Sequence, residues 1–171
     1  MRTWIASFIK ELKNNPTLKS RIIVFLYRMA SIYFSKRKNP LKFLFIIFVI
    51  MYYFIVEFIW GIEIKPKTKI GWGVIIYHPV SIIINPGAVL GDNILLRHGV
   101  TIGNKYTRRT GVESNCPIIG DNVEFGAHAC IVGDINVGND SVIGAAAYVD
   151  FNVKPYTIIA SPRGIVLRNI D

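Results

Sequence analysis

The spacing of apolar residues divides the chain into three patterns, of which the first is helical. Between Thr3 and Phe34 the apolar residues recur every three to four positions, which predicts two α-helices. Asn15 and Pro16 separate them, and we expect Asn15 to cap the second helix with Pro16 in its first turn. The basic cluster at residues 35–40 then predicts a loop.

The second pattern is a run of fourteen residues without a charge, at positions 43–56. A helix that crosses a bilayer needs about 20 apolar residues, and this run approaches that length only by including Glu57 near one end. Two other interpretations remain open: a helix buried at an oligomer interface, or a helix in the membrane interface with basic neighbours on anionic head groups. We therefore treat residues 1–61 as one basic, apolar helical segment that contacts either another subunit or the membrane interface.

The third pattern begins after Gly61 and repeats every six residues. Its apolar positions are Ile64, Ile70, Ile76, Ile84, Leu90, Leu96, Ile102, Ile119, Phe125, Ile131, Val137, Ile143 and Val149. Glycine follows seven of them. A six-residue period suits neither a helix nor an alternating strand. It is typical of a solenoid in which three short strands form one triangular coil of about eighteen residues. Residues 62–171 are therefore predicted to form a mainly-β domain, a parallel β-helix.

Two interruptions of this repeat predict irregular features. Ile76 and Ile84 are eight residues apart rather than six, so one corner should bulge by two residues. The stretch at residues 104–117 lacks the repeat and is polar and charged, so it should protrude as a loop. Long loops on a rigid scaffold commonly carry function.

The chain contains three histidines, His78, His98 and His128. His78 and His98 are each third in a six-residue unit and lie one coil plus the bulge apart, so they should stack on adjacent coils, beside the loop. Neighbouring strands in such coils lie about 4.8 Å apart. Histidine is a suitable base for a hydroxyl group. His78 and His98 are therefore catalytic candidates. His128 is fourth in its unit and unpaired, and is interpreted as structural.

Specific motifs resemble a known family. Glu63-Ile-Lys-Pro66 and Ile76-Tyr-His-Pro79 resemble serine acetyltransferases, in which an Asp–Ile–His–Pro motif precedes an Asp–His pair. Residues 97–104, 116–117 and 131–134 are more similar to the acetyltransferases of colanic-acid and capsule biosynthesis. The resemblance implies a left-handed β-helix, direct O-acetyl transfer from acetyl-CoA and a homotrimer with active sites between subunits. It also implies that His78 is the base, with Glu63 orienting it and His98 nearby.

The departures from serine acetyltransferases concern the acceptor. Those enzymes have an acid before the catalytic histidine and an Arg–His pair in the loop that grip the amino acid, where this chain has Tyr77 and Asn115-Cys116. The groups that would hold a charged amino acid are missing, so we expect a neutral sugar hydroxyl. Tyr77, Asn115 and Cys116 are the substrate-binding candidates. Cys116 is expected to be a packed, inert thiol and not a nucleophile.

The resemblance also implies where acetyl-CoA binds. Gly126-Ala127 and Gly144-Ala145 are eighteen residues apart, so they should stack on successive coils and leave room for the pantetheine arm. Packing of the coil corners explains the same residues equally well. Lys154 and Arg163 are candidates for the nucleotide phosphates. No metal is expected, because His78 and His98 lack a third ligand.

The net charge of +9 is local. Residues 1–42 contain ten Lys and Arg against one acid, and the remaining residues contain ten of each sign. Beside an apolar run, this favours an anionic membrane surface over nucleic acid. The two cysteines form no CxxC pair and no secretory signal is evident, so we expect a cytoplasmic protein, or one peripheral to the inner face of the membrane.

The leading functional hypothesis is an O-acetyltransferase acting on a sugar hydroxyl of a capsular polysaccharide, an exopolysaccharide or its lipid-linked precursor. Two alternatives remain: a serine O-acetyltransferase-like enzyme with a small hydroxyl acceptor, and a non-catalytic β-helix scaffold.

Overall fold

The computed structural model describes residues 2–35, 40–162 and 164. Two α-helices come first, α1 (Arg2–Asn14) and α2 (Leu18–Phe34). A 3₁₀ segment (Pro40–Phe45) leads into α3 (Ile46–Met51), which continues as a π-helical segment (Tyr52–Ile59). Strands begin at Glu63.

Fourteen of the sixteen strands in the described residues form three parallel sheets. Sheet A contains β1 (Glu63–Ile64), β4 (Ile83–Ile84), β7 (Thr101–Gly103), β12 (Cys130–Val132) and β15 (Tyr148–Val149). Sheet B contains β2 (Lys69–Ile70), β5 (Val89–Leu90), β10 (Ile118–Ile119) and β13 (Asn136–Val137). Sheet C contains β3 (Ile75–Ile76), β6 (Leu95–Leu96), β11 (Glu124–Phe125), β14 (Val142–Ile143) and β16 (Ile158–Ile159).

The chain visits the sheets in the repeating order A, B, C, which makes each set of three strands one coil. Repeat residues stack directly on one another: Ile84 pairs with Ile102, and Ile102 with Ile131. These three side chains are buried in the core that runs along the prism. The predicted parallel β-helix is therefore confirmed. We name the C–A corner for the turns from sheet C to sheet A, and the A–B and B–C corners likewise.

Both interruptions of the repeat appear in the structure. Ile76 pairs with Leu96, a separation of twenty, whereas Ile84 pairs with Ile102, a separation of eighteen. The two extra residues therefore lie between β3 and β4. The stretch at residues 104–117 carries an exposed antiparallel hairpin, β8 (Tyr106–Thr107) and β9 (Val112–Glu113).

The cap of α2 differs from the sequence expectation. Thr17, not Asn15, is the N-cap: its hydroxyl accepts a hydrogen bond from the Ser20 amide, and the Ser20 hydroxyl accepts one from the Thr17 amide, both 3.1 Å long. Pro16 precedes the helix. The Asn15 side chain is buried and bonds the β-helix instead: its amide nitrogen donates to the Val74 carbonyl and its oxygen accepts from the Ile76 amide.

The helices close one end of the β-helix by hydrogen bonding to its first coil. The Glu11 carboxylate is fully buried, pairs with Arg28 at 2.6 Å and accepts hydrogen bonds from the Gly73 and Val74 amides. The Arg28 guanidinium donates to the carbonyls of Ile70 and Gly71. These backbone groups form the free edge of the first coil, and the side chains of the helices supply hydrogen-bond partners that no preceding strand supplies.

Two tyrosines complete this helical cap, which we define as the part of residues 2–60 that the structure describes. The Tyr27 hydroxyl donates to the Thr68 carbonyl at 2.6 Å, and the Tyr52 hydroxyl donates to the Ile64 carbonyl at 2.5 Å. Burial raises the pKa of Tyr27 to about 12, so its hydroxyl keeps the proton it donates. Side chains of the cap thus contact the first coil beside β1, β2 and β3.

Candidate active site

The three histidines share the C–A corner, and we call them the histidine corner. His78 follows β3, His98 follows β6 and His128 follows β11. The ring centroids of His78 and His98 are 6.1 Å apart, and those of His98 and His128 are 5.0 Å apart. Both pairs are nearly perpendicular, at 79° and 88°. Three imidazoles on successive coils therefore form one continuous array.

The prediction that His128 is unpaired is wrong, because its ring contacts that of His98. Cys130 pairs with Thr101, a separation of 29, which places His128 on Gly99 of the preceding coil. His128 has a left-handed backbone (φ 59°), and a Cβ on Gly99 would lie 2.2 Å from its Nδ1. The glycine therefore leaves room for the imidazole to reach back to His98. The intervening loop breaks the six-residue count, which is why the sequence did not reveal this pairing.

His98 lies between the other two rings and is partly buried. Its Nδ1 is buried and has no hydrogen-bond partner among the described residues. A buried polar atom without a partner is uncommon in folded proteins and calls for a structural or functional reason. His98 therefore offers a nitrogen whose hydrogen-bonding capacity the chain itself leaves unused.

Glu63 opens sheet A beside the histidine corner. It is exposed on β1, and its residue pairs with Ile83 of β4, the strand that follows His78. Its carboxylate lies 3.7 Å from the Lys65 ammonium, which also contacts Glu57 at 2.5 Å. The structure gives the Glu63 carboxylate no hydrogen bond to a histidine within the described residues. Its orienting role stays a prediction.

The small residues predicted to accommodate acetyl-CoA lie on the same corner. Phe125 pairs with Ile143, so Gly126 stacks on Gly144 and Ala127 on Ala145. A Cβ on Gly126 would lie 2.4 Å from the Ala145 amide nitrogen, so close approach of the coils already requires this glycine. The two alanines lie at the same corner as the histidines, and their small side chains are accessible.

Lys154, one of the two cationic candidates, does not lie at this corner. Lys154 follows Val153, which bridges to Val137 of sheet B, and precedes β16 of sheet C. It therefore lies at the B–C corner, away from the histidines. Arg163 lies outside the described residues.

The loop leaves a different corner from the histidines, contrary to expectation. It follows β7 of sheet A and returns at β10 of sheet B, so it protrudes from the A–B corner. A cavity of about 460 Å³ opens there, lined by Asn85, Asn104, Cys116 and Asp134 among others. The Asn115 side chain donates to Asp134 at 3.0 Å. The loop is inserted one strand beyond the C–A corner, so Asn115 and Cys116 lie apart from the histidine corner of their own chain.

Tyr77 and Cys116 differ in their surroundings. Tyr77 lies at the histidine corner, with the Arg97 guanidinium 5.4 Å from its ring centroid. Cys116 is half-buried against Gly87, and burial raises the pKa of its thiol. A raised pKa disfavours the nucleophilic thiolate, which agrees with an inert thiol.

Within residues 2–35, 40–162 and 164, no group of three or more His, Cys, Asp or Glu side chains is placed to hold a metal ion.

Comparison with known proteins identifies relatives of one chemical class. No family model matches the chain. It is 34% identical over 157 residues to the colanic acid biosynthesis acetyltransferase WcaB of Escherichia coli K12, covering 90% of this chain and 93% of the relative. It is 36% identical over 107 residues to the serine acetyltransferase of Mycobacterium tuberculosis, covering 63% of this chain and 45% of the relative.

Solved structures agree on the fold. Serine acetyltransferase isoform 3 of Entamoeba histolytica, in complex with cysteine, superposes with a TM-score of 0.69 at 23% identity. The match covers 95% of this chain and 59% of that one. The chain thus spans about three fifths of the length of this solved enzyme.

The fold and these relatives define an acetyltransferase built on a left-handed parallel β-helix. The chain belongs to the family of colanic acid biosynthesis acetyltransferases. Acetyltransferases of this kind use acetyl-CoA as co-substrate. An enzyme, and not a non-catalytic scaffold, is therefore the class to which the chain is assigned.

Proposed function

We propose that the chain transfers an acetyl group from acetyl-CoA to a sugar hydroxyl of a capsular polysaccharide, an exopolysaccharide or its lipid-linked precursor. The observation that carries this proposal is the histidine corner, a set of imidazoles next to a column of small residues. The name of the WcaB relative supports a polysaccharide acceptor. The neutral Tyr77 beside His78 supports an uncharged acceptor over an amino acid.

In the proposed reaction His78 is the general base. It takes the proton of the acceptor hydroxyl while the oxygen attacks the thioester carbonyl, forming a C–O bond. The C–S bond then breaks, and the proton passes from His78 to the thiolate of the released coenzyme A. No acyl-enzyme forms, so no cysteine is required. Glu63 would orient His78 and stabilise its protonated form.

The proposal also requires a second copy of the chain. Trimers are typical of this fold, and a trimer would let the A–B corner of one subunit face the C–A corner of its neighbour. Asn115 and Cys116 would then meet the acceptor at the histidine corner of the adjacent subunit. This arrangement accounts for the presence of polar groups on two corners that one chain keeps apart.

L-Serine is a second candidate acceptor, favoured by the 36% identity to the Mycobacterium tuberculosis serine acetyltransferase. The two candidates are separated by measuring thiol release from acetyl-CoA with L-serine and with oligosaccharide acceptors. In parallel, the acetyl content of the cell's polysaccharide is compared with and without the gene. Turnover with L-serine and an unchanged polysaccharide would refute the sugar acceptor.

A further inference from the structure

The segment from Phe43 to Ile59 is apolar on both of its sides. One side packs on the protein: Val49, Tyr52 and Val56 are buried. The other side is exposed, and we call it the apolar face; it comprises Phe43, Leu44, Ile47, Ile50, Phe54 and Phe58. The exposed fraction reaches 69% for Leu44 and 80% for Phe58.

The apolar face forms one continuous stripe and not scattered contacts with water. Ile47, Ile50, Phe54 and Phe58 follow one another at intervals of three or four residues. On the π-helical part, the Phe54 and Phe58 rings stack with their centroids 6.0 Å apart, so they share one side. Soluble monomers rarely expose contiguous apolar surface of this kind, and a helix that is apolar all round is normally covered on every side. Within the described residues this face is left exposed, which points to an interaction surface.

The end of this segment has aromatic rings paired with lysines. The Lys19 ammonium lies 5.2 Å from the Trp60 ring centroid, directly after the segment. The Lys65 ammonium lies 5.5 Å from the Tyr53 ring centroid, but its charge is already paired with Glu57, so only Lys19 is offered to head groups here. Trp and Tyr are enriched where a membrane meets water, and lysine side chains there direct their charge to the head groups. The apolar face thus ends in the residue types found at a lipid–water boundary.

Charge distinguishes a lipid surface from a second copy of the chain. Residues 1–42 contain ten Lys and Arg against one acid, while the rest of the chain is balanced. Joining two copies through this region would bring two strongly cationic segments together. Anionic lipids would neutralise them by attracting the basic residues near the surface.

We propose that the apolar face inserts into the interface of an anionic membrane, with the solenoid held outside it. The segment would lie along the surface and not cross it, since the described residues contain no helix long and apolar enough to span a bilayer. The occupant is thus the boundary between head groups and acyl chains. This docking surface is independent of the acceptor proposed above.

The test is flotation of the full-length protein with vesicles of phosphatidylcholine alone or mixed with phosphatidylglycerol. We expect binding to the mixed vesicles that weakens with added salt, and much weaker binding to phosphatidylcholine alone. Phe54→Ser and Phe58→Ser should each reduce binding about tenfold or more, because each removes an inserted ring. Ile158→Ser, which changes an exposed apolar residue on the last described strand, is the control and should bind like the wild type.

Folding is checked by circular dichroism. The substituted residues are exposed, so the variants should fold like the wild type. Equal binding to both kinds of vesicle, or unaltered binding of the Phe54→Ser/Phe58→Ser double variant, would overturn the proposal. A wild type that binds neither vesicle, with a double variant of smaller size in light scattering, would show that a second copy covers the face.

Discussion

At the scale of single residues, the histidine corner depends on a position that carries no side chain. Gly99 has a left-handed backbone (φ 70°) and lies beneath the His128 ring. Any side chain there would occupy the space that the imidazole uses to reach His98. Gly111 has a similar φ of 66° in the loop, but its surroundings are open. These two glycines therefore separate the effect of backbone strain from that of lost space.

Gly99→Ala is expected to displace the His128 ring from His98 while the fold is retained. The exposed ring can swing away, so the loss of stability should be the backbone cost alone, about 1–3 kcal/mol. Gly111→Ala should lose a similar amount and leave the histidines unchanged. Chemical unfolding measures stability, and NMR of the imidazole protons reports the ring contact. Unaltered histidine resonances in Gly99→Ala would contradict this account.

His78→Ala is expected to reduce turnover by about 10²–10⁴ without weakening acetyl-CoA binding, because a general base acts on the acceptor proton. Glu63→Gln keeps the shape and loses only the charge, so its effect should be smaller. Thiol release with the true acceptor gives turnover, and calorimetry gives acetyl-CoA affinity.

His98→Ala decides how the role is divided between the two histidines. If its loss of turnover equals that of His78→Ala at unchanged acetyl-CoA affinity, the two histidines share or exchange the role of base. Near-normal turnover of His78→Ala would remove that residue from the mechanism.

The sequence predicts some residues of this site better than others for a physical reason. The stacking of His78 and His98 could be predicted because only a two-residue bulge interrupts the six-residue repeat between them. His128 follows a long loop, so its register depends on where that loop is inserted. For the same reason, the sequence places Asn115 and Cys116 beside the histidines. In the structure the loop protrudes from the A–B corner, one strand further along the chain than the histidine corner.

At the scale of elements, the attachment of α1 and α2 to the first coil rests on a buried ion pair. Glu11 is fully buried, and its carboxylate pairs with Arg28 and also accepts hydrogen bonds from two backbone amides. Arg28 also lies 4.5 Å from the ring of Trp72. The pair therefore links both helices to one turn of the β-helix. The helical spacing predicts α1 and α2, but it carries no information about this long-range contact.

Glu11→Ala is expected to destabilise the protein by about 3–5 kcal/mol, because it leaves a buried guanidinium and two amides without their acceptor. Glu124→Ala removes an exposed acid and should change stability by no more than about 0.5 kcal/mol. Urea unfolding followed by circular dichroism measures both. Glu11→Gln should recover part of the loss by accepting the amide hydrogen bonds. Equal stability of Glu11→Ala and Glu124→Ala would show that the pair is not needed.

At the scale of the whole molecule, one chain places its histidines and its protruding loop on two different corners. The histidines and the small residues lie on the C–A corner, and the loop lies on the A–B corner. The repeat predicted the coils and their core, since one apolar position in six suffices to define them. It could not predict how the corners of different subunits meet.

Mixed oligomers test whether sites are shared between subunits. His78→Ala and Asn115→Ala are each expected to reduce activity strongly as pure proteins. Co-expressed in equal amounts, they should recover about a quarter of wild-type activity, because a site that combines two intact contributions then forms by chance. The control is a mixture of the two separately purified variants, in which subunits do not exchange between oligomers and activity should not return. No recovery on co-expression would contradict a site shared between subunits.

The helical cap also determines where the solenoid begins. A coil of this repeat can accept another coil on either side, so the repeat by itself contains no rule for its own length. Glu11, Asn15, Arg28 and the two capping tyrosines occupy the backbone groups that a further coil would use. The cap therefore acts as a terminator of stacking. It makes the domain finite at this end and denies other chains a template for end-to-end growth.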